Sequence, residues 1–91
     1  MARVRIRLYE TMIEKVKEEK IEIDAKTISE AITKLVAKFP IFKGAIVDQN
    51  LNLMYDFTYL LNGKNVEVLN KGDTMLKEGD VISIFPPVAG G

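Results

Sequence analysis

The chain closes on PPVAGG, residues 86–91, and its chemistry concentrates there. Its 91 residues include no cysteine and no histidine. Disulfides, thiolate nucleophiles, imidazole bases and the usual zinc or haem ligands are therefore out of reach, and no metal site is expected. Catalysis internal to the chain would have to rest on carboxylates, lysines and tyrosines. Asp48, Asp56 and Asp73 are the candidates, yet they stand at no catalytic spacing and read as loop and turn residues. The closing segment offers something different. Pro86 and Pro87 fix φ at about −65° and disfavour helix in the residues before them, so the chain should leave its last strand extended. Gly90 and Gly91 lack a Cβ and fit channels that no other residue enters. Gly91 carries an α-carboxylate, ionised at neutral pH because such groups titrate at about 3.3–3.7. A carboxylate on a slim arm is a good substrate for activation. It can attack the α-phosphate of ATP and become an acyl-adenylate, a mixed anhydride open to nucleophiles.

Such an arm needs a body to hold it. RVRIRLY, residues 3–9, alternates Val4, Ile6 and Leu8 with Arg3, Arg5 and Arg7, which predicts a strand with one buried and one wet face. ETMIEKVKEEK, residues 10–20, is mostly charged and fits a loop or a short helix equally. KIEIDA offers a second strand with Ile21 and Ile23 facing the same way, and the modest connection favours an antiparallel pair. TISE opens the clearest helix, over residues 27–39. There Thr27 caps the N–H three residues on and Glu30 reaches back. Ile28, Ala31, Ile32, Leu35, Val36 and Phe39 form one stripe that reads as core, and Pro40 stops the helix.

Residues 41–57 mix apolar side chains with Gly44, Asp48, Asn50 and Asn52, and predict short irregular pieces. TYLLNGKNVEVL sets two β-rich runs around Asn62–Gly63, a hairpin in which Lys64 and Asn65 either pair or lengthen the turn. KGDTMLKEGD is rich in turn residues, with Met75 and Leu76 as apolar anchors. DVISIF is a last strand whose continuous apolar character predicts burial on both sides. Pro86 and Pro87 end its ladder because neither has an N–H.

The order strand, strand, helix, irregular segment, strand pair, last strand predicts an α+β domain: a mixed sheet holding one helix on a single face. Placing the first and last strands side by side as parallel central neighbours gives the β-grasp arrangement of ubiquitin-like proteins, a step made partly by analogy. The expected organisation is a β-grasp domain over residues 1–85 and a flexible tail over residues 86–91. Lysines plus arginines number 13 and acids 13, so no bulk attraction to nucleic acid or to an anionic membrane is implied. No apolar run approaches the roughly 18–20 residues that span a bilayer, and the N-terminus lacks the continuous apolar stretch of a signal peptide. A cytoplasmic protein is expected.

LKEGDVISIFPPVAGG, residues 76–91, resembles the C-terminal signature of the MoaD/ThiS ubiquitin-like sulfur carriers, the MoaD branch above all. Three features carry the resemblance: the Gly79–Asp80 turn before the last strand, Phe85 ahead of Pro86–Pro87, and the closing Gly90–Gly91. The LNGKNV hairpin and the opening strand fit more loosely. The double proline favours MoaD, the small subunit of molybdopterin synthase, over the shorter ThiS type.

The resemblance implies a job. An E1-like adenylating enzyme of MoeB type uses ATP to adenylate Gly91, a sulfurtransferase supplies sulfur that replaces AMP, and the thiocarboxylate gives sulfide to precursor Z on a MoaE-type large subunit. The chain itself would bind no cofactor and have no catalytic centre of its own. Without cysteine, sulfur has no side chain to ride on here. By the same resemblance an apolar patch near the tail docks partners, and its matching residues are Tyr9, Val66 and Phe85 with Pro86, Pro87, Val88 and Ala89. For Tyr9 and Val66 simple packing is the competing reading. Arg3, Arg5 and Arg7 read as a solvated strand face. Two departures stand out: residues 11–20 lack the glycine-bearing connection common in the family, and residues 41–57 exceed what a minimal carrier needs. The longer segment leaves room for another partner or for a tungsten pathway. Rival readings are a modifier joined through Gly91 to lysines of other proteins, a ThiS-like carrier for thiamine thiazole synthesis, and an interaction domain with an idle tail.

Overall fold

Alternation in the opening stretch becomes β1 (Ala2–Leu8), whose Val4, Ile6 and Leu8 are buried while Arg3, Arg5 and Arg7 face solvent. These coordinates come from a computed structural model that describes residues 2–9, 21–44, 46, 57–66 and 73–86. β2 (Ile21–Ala25) repeats the alternation with Ile21, Ile23 and Ala25 inward and Glu22 and Asp24 outward. It lies antiparallel to β1, with Val4 opposite Ile23. β3 (Thr58–Leu61), β4 (Lys64–Asn65) and β5 (Val81–Phe85) complete a five-stranded sheet in the order β2-β1-β5-β3-β4. β5 sits in the middle. It runs parallel to β1, with Ile6 opposite Ile82 and Leu8 opposite Ile84, and antiparallel to β3, with Tyr59 opposite Ile84. The first and last strands are therefore the central parallel neighbours that the β-grasp reading requires.

One helix, α1 (Ile28–Lys38), covers one face of this sheet. Its stripe of Ile28, Ala31, Ile32, Leu35 and Val36 is buried against Val4, Ile6, Ile82 and Ile84 in a single apolar core. Each fully buried isoleucine, leucine or valine contributes about 1.5–3 kcal/mol relative to exposure, so this stripe is what holds helix to sheet. The N-terminal cap forms through Thr27, whose Oγ1 accepts from the Glu30 N–H at 3.2 Å. Glu30 does not close the box on Thr27. Its Oε1 accepts from the Lys26 N–H at 2.8 Å, one residue earlier. Phe39, the last of the predicted stripe, is half-buried at the helix end and meets Phe42 edge to face at 6.4 Å.

Beyond the helix a short 3₁₀ turn (Pro40–Phe42) drives Phe42 into the core, where Ile46 joins it. Tyr59, buried on β3, donates its hydroxyl to the Ile46 carbonyl at 3.0 Å and so ties this segment to the sheet. Residues 45 and 47–56 of the irregular segment lie outside the described residues, as do residues 10–20. The hairpin resolves in favour of the short turn. Asn62 and Gly63 have φ of 51° and 89°, the signs a two-residue type I′ loop demands, and Leu61 pairs directly with Lys64.

Two expectations need correction. Met75 is not an anchor. Its backbone bridges Thr27 but its side chain is 66% exposed, and only Leu76 of that pair reaches the core. Nor is β5 buried on both sides. Ile82 and Ile84 point under the helix, while Val81, Ser83 and Phe85 are half-buried on a face that α1 does not cover. Among the described residues, no helix is long and apolar enough to cross a membrane.

Candidate functional site

The open face gathers at the upper end of the two central strands, where β5 hands over to residues 86–91. The last paired residues of β1 and β5 are Leu8 and Ile84, both buried. One position on, alternation turns Tyr9 and Phe85 to the face that α1 does not cover. Their rings stack with centroids 4.2 Å apart and planes inclined by 14°. Arg7, on the same face two residues before Tyr9, places its guanidinium carbon 5.5 Å from the Tyr9 ring centroid, within cation–π range. On the other side the Phe85 backbone pairs with Thr58 at the start of β3. Pro86 follows, half-buried and without an N–H to extend the ladder.

The structure thus brings together Tyr9, Phe85 and Pro86 from the predicted set. Val66 does not join them. It has no exposed surface at all and is part of the core, so the packing reading is the correct one for this residue. The apolar side chain after the hairpin faces inward because its register follows buried Leu61 across a tight turn. Pro87, Val88, Ala89, Gly90 and Gly91 lie outside the described residues.

The opposite end of β5 is held by a polar clasp that sequence reasoning missed. Asn62 Nδ2 donates to Asp80 Oδ1 at 2.9 Å, and Asn62 Oδ1 accepts from the Val81 N–H at 2.9 Å. The Asn62 N–H donates in turn to the Val81 carbonyl at 2.8 Å. Asp80 uses its second carboxylate oxygen to accept from the Lys77 N–H at 2.7 Å. The Gly79–Asp80 turn is locked to β1 as well: the Gly79 N–H donates to the Arg3 carbonyl and the Arg5 N–H to the Asp80 carbonyl. NG and GD were each visible as turn signals, but nothing local says that one reaches the other.

Near that lower end lies a shallow cleft of about 250 Å³, lined by Arg3, Arg5, Glu22, Glu78, Gly79 and Val81. Its charge is largely self-satisfied. Arg3 meets Glu22 at 3.1 Å and Asp24 at 3.2 Å, and the Glu22 hydrogen bond, then the one to Asp24, raises the Arg3 pKa above its usual value. Arg3 is thus an ion-paired member of the strand face, while Arg5 and Arg7 fit the solvated face expected of them. Among the described residues no cluster of three or more potential ligands could hold a metal ion.

A mixed sheet with parallel central first and last strands, one helix beneath it, and a terminal strand running out into PPVAGG defines a ubiquitin-like β-grasp protein. The ThiS family model matches residues 6–91, and the chain belongs to that family. Small archaeal modifier protein 3 of Haloferax volcanii is 32% identical over 68 residues, covering 75% of this chain and 73% of the relative. The solution structure of small archaeal modifier protein 1 from Methanosarcina acetivorans superposes with a TM-score of 0.90 at 28% identity, over 100% of this chain and 98% of that one. A chain in the crystal structure of the BexX/CysO complex from Amycolatopsis orientalis shares the fold at 22% identity and a TM-score of 0.83, covering 97% of this chain and 99% of that one.

Proposed function

We propose that this chain is a sulfur carrier whose working group is the Gly91 carboxylate. The observation that carries the reading is the family match running through to residue 91, over a segment whose slim glycine end and ionised carboxylate suit activation and transfer. An E1-like enzyme supplies the catalytic groups. A carboxylate oxygen of Gly91 attacks the α-phosphate of ATP and pyrophosphate leaves. Hydrosulfide released by a sulfurtransferase then attacks the acyl carbon, AMP leaves and the sulfur's proton passes to solvent, so the chain carries a thiocarboxylate. ATP belongs to the partner, and the carrier needs no cofactor of its own. The PPVAGG ending with Phe85 ahead of it favours a MoaD-like destination, in which a MoaE-type subunit holds the pterin precursor that accepts the sulfur. This chemistry draws on ATP and reduced sulfur, which agrees with work in the cytoplasm.

A second reading has its own support. The 32% identical relative carries the name of a modifier protein, and modifiers share the adenylation step. There the final nucleophile is a lysine amine of another protein, giving an isopeptide bond at Gly91.

One experiment separates them. The protein is incubated with the E1-like enzyme of its own organism, ATP and a sulfur donor, and its intact mass is measured. Gain of the mass difference between one sulfur and one oxygen supports the carrier. High-mass conjugates in a cell extract, with no such exchange, support the modifier. A chain lacking Gly91 should keep its fold and lose activation; undiminished activation of that variant would reject both readings.

A further inference from the structure

Asn62 and Gly63 form the only Asn-Gly pair in the chain, and they are the tip of the β3–β4 hairpin. Asn62, Gly63 and Lys64 are all exposed, so water reaches the turn freely. Gly63 has no side chain, and among the described residues nothing beyond its chain neighbours lies within 4 Å of where a Cβ would stand. The approach to its nitrogen is therefore uncrowded. These are the ingredients of an intramolecular reaction. The Gly63 nitrogen, giving up its proton to solvent, can attack the Asn62 side-chain carbonyl carbon. The Cγ–N bond forms, the Cγ–Nδ2 bond breaks, and Nδ2 leaves as ammonia, taking a proton from water. Water then opens the five-membered imide at either carbonyl and leaves aspartate or isoaspartate at position 62.

The folded chain opposes the first step. Cγ must turn toward the Gly63 nitrogen, yet both polar atoms it carries are held elsewhere. Nδ2 donates to Asp80 Oδ1 at 2.9 Å, and Oδ1 accepts from the Val81 N–H at 2.9 Å. Asp80 is itself braced by the Lys77 N–H at 2.7 Å, and the Asn62 backbone by its bond to the Val81 carbonyl at 2.8 Å.

We propose that Asn62 is a deamidation site held shut by Asp80, and that its conversion is a one-way release of the clasp. The proposal does not depend on whether Gly91 is ever activated. An aspartate at this position is ionised, has no N–H to give Asp80, and sets a second negative charge against it. Isoaspartate adds a methylene to the main chain inside a two-residue turn and so upsets the pairing of Leu61 with Lys64. Either product loosens the entry to β5, and neither returns to the amide.

The test ages the full chain in mildly alkaline buffer and follows position 62 by peptide mapping that separates amide, aspartate and isoaspartate. Asn65, which precedes Val66 on the same hairpin, is the internal control. Asp80→Ala removes the acceptor for Nδ2 and should speed conversion about 2- to 5-fold, the factor that one exposed hydrogen bond is worth. Asp80→Asn keeps an acceptor oxygen and should restore most of the protection. In guanidinium chloride all three chains should convert at one common rate, faster than the native wild type. A native Asp80→Ala rate at or below the wild-type rate would overturn the proposal. So would a native wild-type rate matching the unfolded one, or an acceleration that Asn65 shares equally. Should Asp80→Ala fail to fold, Asp80→Glu shifts the acceptor by one methylene, keeps the charge, and takes its place with the same expected direction. Converted chains, separated by ion exchange, should unfold at lower urea than unmodified ones; an equal midpoint would overturn the release.

Discussion

Asn62 offers the sharpest test of how this sheet is held, because its side chain, its backbone angle and its partner can be perturbed separately. Asn62→Ala removes two hydrogen bonds, one to the Asp80 carboxylate and one from the Val81 N–H, both 2.9 Å long. Each is exposed, so water replaces part of what is lost, and about 0.5–1 kcal/mol apiece is the appropriate figure. The same substitution leaves a Cβ-bearing residue with no local hydrogen bond at φ 51°, in the left-handed region, which adds about 1–2 kcal/mol. The sum is about 2–4 kcal/mol. With a urea m-value at the low end of the usual range, about 1–1.5 kcal/mol/M, the midpoint should fall by roughly 2–3 M with m unchanged. Asn62→Gly loses the same two bonds but tolerates the angle. It adds about 0.4–1 kcal/mol of unfolded-chain entropy, and should finish slightly more stable than the alanine variant. Asn62→Asp keeps the acceptor for Val81 but sets a carboxylate against Asp80. Like-charge neighbours raise the folded-state carboxylate pKa, so this variant should gain stability relative to wild type as pH falls through about 4. Urea titrations of the three variants at neutral pH, with Asn62→Asp repeated at pH 4, are sufficient. A loss below about 0.5 kcal/mol for alanine, or a glycine variant clearly weaker than alanine, would refute the clasp reasoning.

Two further substitutions probe the supports around the core. Thr27→Ala removes the oxygen that receives the Glu30 N–H and should cost about 1 kcal/mol, seen as a fall in Tm of about 4–8 °C by circular dichroism; an unchanged Tm would show that the Lys26–Glu30 bond suffices alone. Tyr59→Phe deletes the donor to the Ile46 carbonyl inside the core and should cost about 1–2 kcal/mol in denaturant, with faster hydrogen exchange near residue 46; exchange unaltered there would mean that the hydroxyl does not hold that segment.

What could be read from the sequence follows the range of the interaction that decides it. β1, β2 and α1 were legible because alternation and the 3.6-residue stripe are local signals, and the Asn62–Gly63 loop because its positive φ values restrict residue type. Pairing of β1 with β5 needed an analogy, since no local pattern records which strand is a neighbour. Val66 and Met75 show the limit of hydrophobicity as a guide. One was open to both a docking and a packing reading and is core, the other was expected inside and is exposed, and only the register of the chain around them decides. The apolar run of β5 misled for a related reason: Phe85 stacks on Tyr9, seventy-six positions earlier, on the face that α1 does not cover. The Asn62–Asp80 bond was invisible because each residue already had a sufficient local explanation as part of a turn.

On the proposed reading of Gly91, the same geometry suits a reactive terminus. Threading residues 87–91 into an extended channel costs about 1–2 kcal/mol per residue in backbone entropy, hence about 5–10 kcal/mol for the five of them. At about 25 cal/mol/Å², contacts of roughly 200–400 Å² of apolar surface elsewhere offset that cost. The face left uncovered by α1 is where such surface remains, with Tyr9, Leu60, Val81 and Phe85 all half-buried there. A partner that covers this face also lies beside the point where Pro86 departs. The cost does not spread further back, because β5 is paired on both sides and its entry is locked by Asn62 and Asp80. A terminal strand at the edge of a sheet would have frayed under the same load. Placed at the centre, it would confine the ordering on the proposed reading to the few residues that enter a partner's channel.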